Sequence, residues 1–177
     1  DNTFDFENPS SIDCLICHDT TGTYGKKANS CGYPDKGVDL AAVAGSVGVP
    51  NRENCGACHW YGGGGNNVKH GDMGEFLADP GREADVHMGG LNFACQECHR
   101  TVDHKIAGRS TTSAVNEGAV SCTGCHDPKP HPAESPLLDQ LNDHTAAVAC
   151  QTCHIPRYAR QDFTMTQWDW SRGGEGS

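Results

Sequence analysis

The chain has 177 residues, of which Leu, Ile, Val and Phe supply only 26, and its formal net charge is −10. So few large apolar side chains cannot offset the entropy of ordering the backbone, and no apolar run approaches the ~18–20 residues of a membrane span. The acidity argues against a nucleic-acid binder, while eleven Cys and ten His argue against a disordered tail.

Taken in chain order, the first element is Cys14-Leu15-Ile16-Cys17-His18, a C-x-x-C-H run expected to form a helical turn. Leu40, Val43 and Val47 then fall at helical spacing after Asp39, and Gly48 and Pro50 close that short helix. A second C-x-x-C-H spans Cys55, Cys58 and His59, and is followed by four glycines, Gly62 to Gly65. No G-K-[ST] follows the glycines, so they are not a phosphate loop; beside such a motif they predict close backbone approach to a cofactor. Residues 74–78 read as a single turn stopped by Pro80. Further motifs occupy Cys95, Cys98, His99 and Cys122, Cys125, His126. Leu137, Leu138, Leu141 and His144 give the strongest helical pattern, running towards the fifth motif at Cys150, Cys153 and His154. No segment alternates well enough to predict a sheet.

The pattern selects one chemistry. In a c-type haem attachment two thiols add across the porphyrin vinyl groups, and the adjacent His becomes the proximal iron ligand. A zinc ribbon uses its Cys pairs in couples and has no need of a His at this offset, and five pairs would strand one. A thioredoxin-like enzyme carries one reactive pair on a βαβ background, which is missing. Five covalent haems c are therefore expected on Cys14, Cys17, Cys55, Cys58, Cys95, Cys98, Cys122, Cys125, Cys150 and Cys153. Their proximal ligands are His18, His59, His99, His126 and His154. Five His remain, His70, His87, His104, His131 and His144, the number needed for a second imidazole on every iron. Met73, Met88 and Met165 are read as packing residues, and Cys31, outside the motifs, as an inert thiol.

Motif spacings of 41, 40, 27 and 28 residues form no simple repeat, and about 35 residues per haem leave no room for a separate domain. The expected architecture is one unit over 1–177: a multihaem cytochrome c, mostly irregular, with a few short α-helices around a haem core and little or no β. Cysteine usage points to an exported protein, periplasmic or extracellular, whose leader is not in this sequence. Redox partner proteins are expected, with self-assembly or haem ligation across subunits as a further possibility, and with neither nucleic acid nor a transmembrane segment.

The segment from Asp13 to Tyr24 resembles the octahaem tetrathionate reductase family. So do Asn54 to His59 with the glycine run and Val68-Lys69-His70-Gly71-Asp72, then Asp85-Val86-His87-Met88, Val148 to Pro156, and Trp168-Asp169-Trp170-Ser171. The resemblance covers nearly the whole chain, which matches the third to seventh of eight haem motifs. It implies an electron-transfer core, and it marks Lys69 as the counterpart of a lysine that ligates the family's active haem. That haem is not encoded here, and an acidic residue three positions earlier is replaced by Asn66. The leading reading is an electron carrier; the alternatives are a reductase of a small sulfur or nitrogen compound, and a subunit of an extracellular cytochrome filament.

Overall fold

The computed structural model describes residue 8 and residues 12–26, 32–62, 64–108, 118, 120–132, 135–165 and 171. Cys31 and the Trp168–Trp170 tail lie outside the described residues. The helices are short: α1 Cys14–His18, α2 Leu40–Gly45, α3 Arg52–His59, α4 Met88–Leu91, α5 Cys95–Cys98, α6 Pro136–His144 and α7 Cys150–His154. Two 3-10 turns, Glu75–Ala78 and Cys122–Gly124, and one hairpin, β1 Thr101–Val102 with β2 Lys105–Ile106, complete the described elements.

Local chemistry accounts for where these turns start. The Asp13 side chain accepts from Leu15 N at 3.1 Å and so caps α1, and Asp39 accepts from Ala41 N and Ala42 N at 3.0 Å to cap α2. At α3, Asn51 and Asn54 exchange two 2.8 Å hydrogen bonds in a capping box. Each of the five motifs forms a helical turn, which brings the two cysteines of a C-x-x-C to one side at i and i+3.

Aliphatic packing contributes little. Val43 is the only large hydrophobic side chain buried among the described residues. Polar staples hold the loops instead. Asn54 Nδ2 donates to Ile16 O at 3.2 Å and Asp19 O at 3.0 Å, joining α3 to α1. The Arg52 guanidinium donates to Phe93 O at 2.7 and 3.1 Å, to Ala78 O at 3.1 Å, to Met88 O at 2.9 Å and to Asn92 Oδ1 at 3.0 Å. That one side chain ties α3 to the Glu75–Ala78 turn, to α4 and to the entry of α5. Buried Asp19 accepts from Thr21 N, Thr21 Oγ1 and Tyr24 N at 2.8, 2.7 and 3.0 Å, fixing the turn after the first motif.

The sequence-based expectations meet this structure unevenly. The 39–47 helix exists but ends at Gly45, and Val47 bridges to Asp19 while remaining 55% exposed. In α6 the expected apolar stripe is not what is buried: Leu137 faces outward and Asn142 is buried. The hairpin at 101–106 was not anticipated. It has two residue pairs, too few for an alternating pattern, and its turn is Asp-His where a hairpin turn is usually signalled by Asn-Gly or Asp-Gly. Met165 is 90% exposed and so does not pack as expected. Among the described residues no helix is long and apolar enough to cross a membrane.

Candidate haem-binding site

The ten motif cysteines are half-buried or exposed, and none is joined to another. The first four motifs approach each other in chain order. The Cys17 thiol is pushed up by burial and then by the nearby Cys58. Cys55 lies beside Cys95, and their interaction raises the first thiol and lowers the second. Burial raises Cys98, with Asp85 and Cys125 adding to it, and the Arg100 guanidinium lies 3.8 Å from Cys125 Sγ. No three or more His, Cys, Asp or Glu side chains converge to hold a bare metal ion among the described residues.

The imidazoles are arranged differently. Three motif histidines each face a non-motif histidine: His18 and His104 at 6.3 Å between ring centroids, His126 and His87 at 6.0 Å, His154 and His131 at 6.1 Å. Two imidazoles gripping one metal from opposite sides stand about 6 Å apart, because each metal–nitrogen bond is about 2 Å and half a ring lies beyond it on either side. The donor set and its spacing therefore fit a six-coordinate haem iron between the members of each pair. The first two pairs are edge-oriented, at 74° and 64°, and the third is nearly parallel at 12°. His59, His99, His70 and His144 are not ring-paired among the described residues.

Hydrogen bonds at Nδ1 prepare several of these rings. His18 Nδ1–H donates to Gly48 O at 2.8 Å and His99 Nδ1–H to Ala107 O at 2.8 Å. His131 Nδ1–H donates to Asn142 Oδ1 at 3.2 Å, while the same oxygen accepts from His131 N at 3.0 Å and Asn142 Nδ2 donates to His131 O at 2.8 Å. A carbonyl oxygen at Nδ1 fixes the tautomer that leaves the Nε2 lone pair for a metal. His87 is set at the start of α4, where Asp85 accepts from His87 N and Met88 N at 2.8 Å and the Phe93 ring lies 5.8 Å away. Arg160 stands 3.1 Å from His70 Nδ1 and also donates to Ala84 O at 2.7 Å and to Asn67 Oδ1. His70 N donates to Tyr158 O at 2.7 Å, so the segments around 68–70 and 158–161 are clamped together.

Lys69 is occupied. Its Nζ lies 2.6 Å from Asp72 Oδ1, and the Asp72 side chain is only 1% exposed. Asp72 also accepts from Val68 N, Lys69 N and Gly64 N, at 3.0, 2.9 and 3.2 Å. The Lys69 hydrogen bond, with those backbone donors, holds the Asp72 carboxyl down at about 2, and the same bond raises Lys69. The glycine run serves this pair: a Cβ on Gly64 would collide with Lys69 Nζ, and Gly65 has φ +145°. Within the chain, the close approach at Gly64 is to Lys69. Arg52, Arg160 and Asn142 escaped sequence analysis because each acts on atoms 11 to 93 residues away.

The family described as cytochrome c7 and related cytochrome c matches residues 81–164. An uncharacterized protein of Archaeoglobus fulgidus is 30% identical over 129 residues, covering 63% of this chain and 43% of that protein. The octahaem cytochrome c of Shewanella oneidensis superposes with a TM-score of 0.71 at 48% identity, over 98% of this chain and 38% of that one. The chain thus spans about two fifths of the length of each relative.

Proposed function

We propose that this chain, a multihaem c-type cytochrome related to the octahaem cytochromes, binds five haems c covalently and passes single electrons along them. The carrying observation is the set of three histidine pairs at 6.0 to 6.3 Å, each joining a motif His to a distal one. Haem held between two imidazoles supplies a one-electron couple without an open coordination position. The chain's own residues do the rest.

The ten motif cysteines form the thioethers, and His18, His59, His99, His126 and His154 are the proximal ligands. His104 serves the haem of His18, His87 that of His126, and His131 that of His154. His70 and His144 serve the remaining two as a set, His70 once the Arg160 donor at its Nδ1, which puts the ring proton on Nε2, has moved away. Gly48 O, Ala107 O and Asn142 Oδ1 hold their partner rings by Nδ1, making each imidazole a stronger donor and fixing its plane. The approach of Cys17 to Cys58, Cys55 to Cys95 and Cys98 to Cys125 supports an order in which the first four haems follow the sequence.

Lys69 favours this reading over a reductase. A ligating lysine must be neutral, and the buried carboxylate of Asp72 stabilises its protonated form. In the cell the protein works outside the cytoplasm and docks with redox proteins whose basic surfaces complement a charge of −10. Replacing His87, His104 or His131 with Ala tests the ligation. Each variant is expected to keep five haems by intact mass and to turn one iron from low-spin to high-spin. Unchanged spin states in all three would refute the assignment.

A further inference from the structure

The distal candidates are not held alike. Asn142 secures His131 by three hydrogen bonds, Arg160 and Tyr158 O secure His70, and Asp85 with Phe93 secures His87. His104 sits at the tip of the 101–106 hairpin, and among the described residues its only side-chain partner is the His18 ring. Every residue from 101 to 106 is exposed. Among the described residues the hairpin is tied down only at its base, by Ala107 N to Arg100 O at 2.8 Å, His99 Nδ1 to Ala107 O at 2.8 Å and Thr101 Oγ1 to His99 O at 3.2 Å. A hairpin of two residue pairs is barely stable by itself.

The turn adds strain. Asp103 has φ +50° and His104 φ +65°, so both central residues occupy the left-handed region that a two-residue type I′ turn demands, and neither is glycine. Reaching His18 therefore requires an unfavourable backbone in an arm with little else to hold it. Beside the arm is a cleft of about 410 Å³ lined by Arg100, Val102, Asp103, Lys105 and Ala107. Two cations against one carboxylate bias that cleft towards an anion.

Building on the ligation proposed above, we infer that His104 is a displaceable ligand, and that the haem attached at Cys14 and Cys17 is a binding site for a small anion. The exchange would move no electrons: His104 Nε2 would release the iron and keep its lone pair, and the anion would supply a lone pair in its place. The hairpin swings about residues 100 and 107 as a strap. The remaining irons keep their second imidazole and conduct.

Azide is the probe, titrated into the oxidised holoprotein and followed by its absorption and electron paramagnetic resonance. One azide-binding haem per chain is expected. In His104→Ala the same haem is expected to start high-spin and to bind azide at least tenfold more tightly, with no second site. No azide binding to the wild type would overturn the inference, and so would a second azide site in His104→Ala, which would put the wild-type site elsewhere. If His104→Ala leaves all five irons low-spin, the ligation of this haem by His104 fails, and the strap with it.

Discussion

Removing Arg52 should loosen the protein where α3, α4 and the entry of α5 meet. Its guanidinium reaches four acceptor atoms, Phe93 O, Ala78 O, Met88 O and Asn92 Oδ1, at 2.7 to 3.1 Å. Hydrogen bonds from a charged donor contribute about 1.5–3 kcal/mol each when their partners become stranded, but these acceptors are only half-buried and water can reach them. Taking about 1 kcal/mol for each acceptor, and less than full additivity, Arg52→Ala should cost about 3 kcal/mol. Arg52→Lys, with one ammonium in place of a planar fork, should recover less than half of that. The loss falls on α4 and Phe93, which set His87 opposite His126 at 6.0 Å. Guanidinium unfolding of the holoprotein, followed by the Soret band, measures the cost. Paramagnetic resonance in buffer should show broadened or shifted low-spin signals, the species held by His126 and His87 among them. An Arg52→Ala protein that unfolds within about 0.5 kcal/mol of the wild type would refute the idea that polar staples, in place of aliphatic packing, hold these loops.

Other outcomes follow from the same contacts. Asn142→Leu strands His131 N and removes the acceptor at its Nδ1, so a loss of about 2 kcal/mol and a lower-field shift in one haem's ligand geometry are expected, while Asn142→Asp, which keeps an oxygen there, should retain the spectrum. Gly56→Ala drives a methyl into the Trp60 ring and should cost about 1–3 kcal/mol by thermal unfolding, whereas Gly37→Ala, with open space at its Cβ, should be near neutral. Burial, with the Asp13 hydrogen bond, pushes Tyr24 up to about 12, above its unfolded value of about 10. Its contribution to stability is therefore complete below pH ~10 and lost as pH rises through about 12, and ultraviolet resonance Raman should find one of the four tyrosines ionising late. Chain produced without haem attachment should show no cooperative thermal transition by circular dichroism, because Val43 alone is a poor nucleus.

The chemistry was far more legible in the sequence than the scaffold. A C-x-x-C-H run carries its meaning in five consecutive residues, so the sequence alone proposes attachment sites and proximal ligands, and subtraction leaves five histidines as distal candidates. The pairing was not legible, since His104 reaches back across 86 residues to His18 and no local signal encodes that distance. Helix α2 was found because Asp39 and the Leu40–Val43 spacing are local, while α4, with two glycines among its four residues, offered no helical pattern at all. Lys69 illustrates how context decides a role. Its position suggested a ligand, yet Asp72, three residues on and almost wholly buried, claims its charge.

Near-infrared magnetic circular dichroism of the oxidised holoprotein, quantified per chain, tests the central claim most directly because its ligand-to-metal bands count bis-imidazole haems. Five per chain are predicted, with no high-spin iron in the resting protein. Fewer than five, or a full equivalent of high-spin or lysine-ligated iron, would contradict the account.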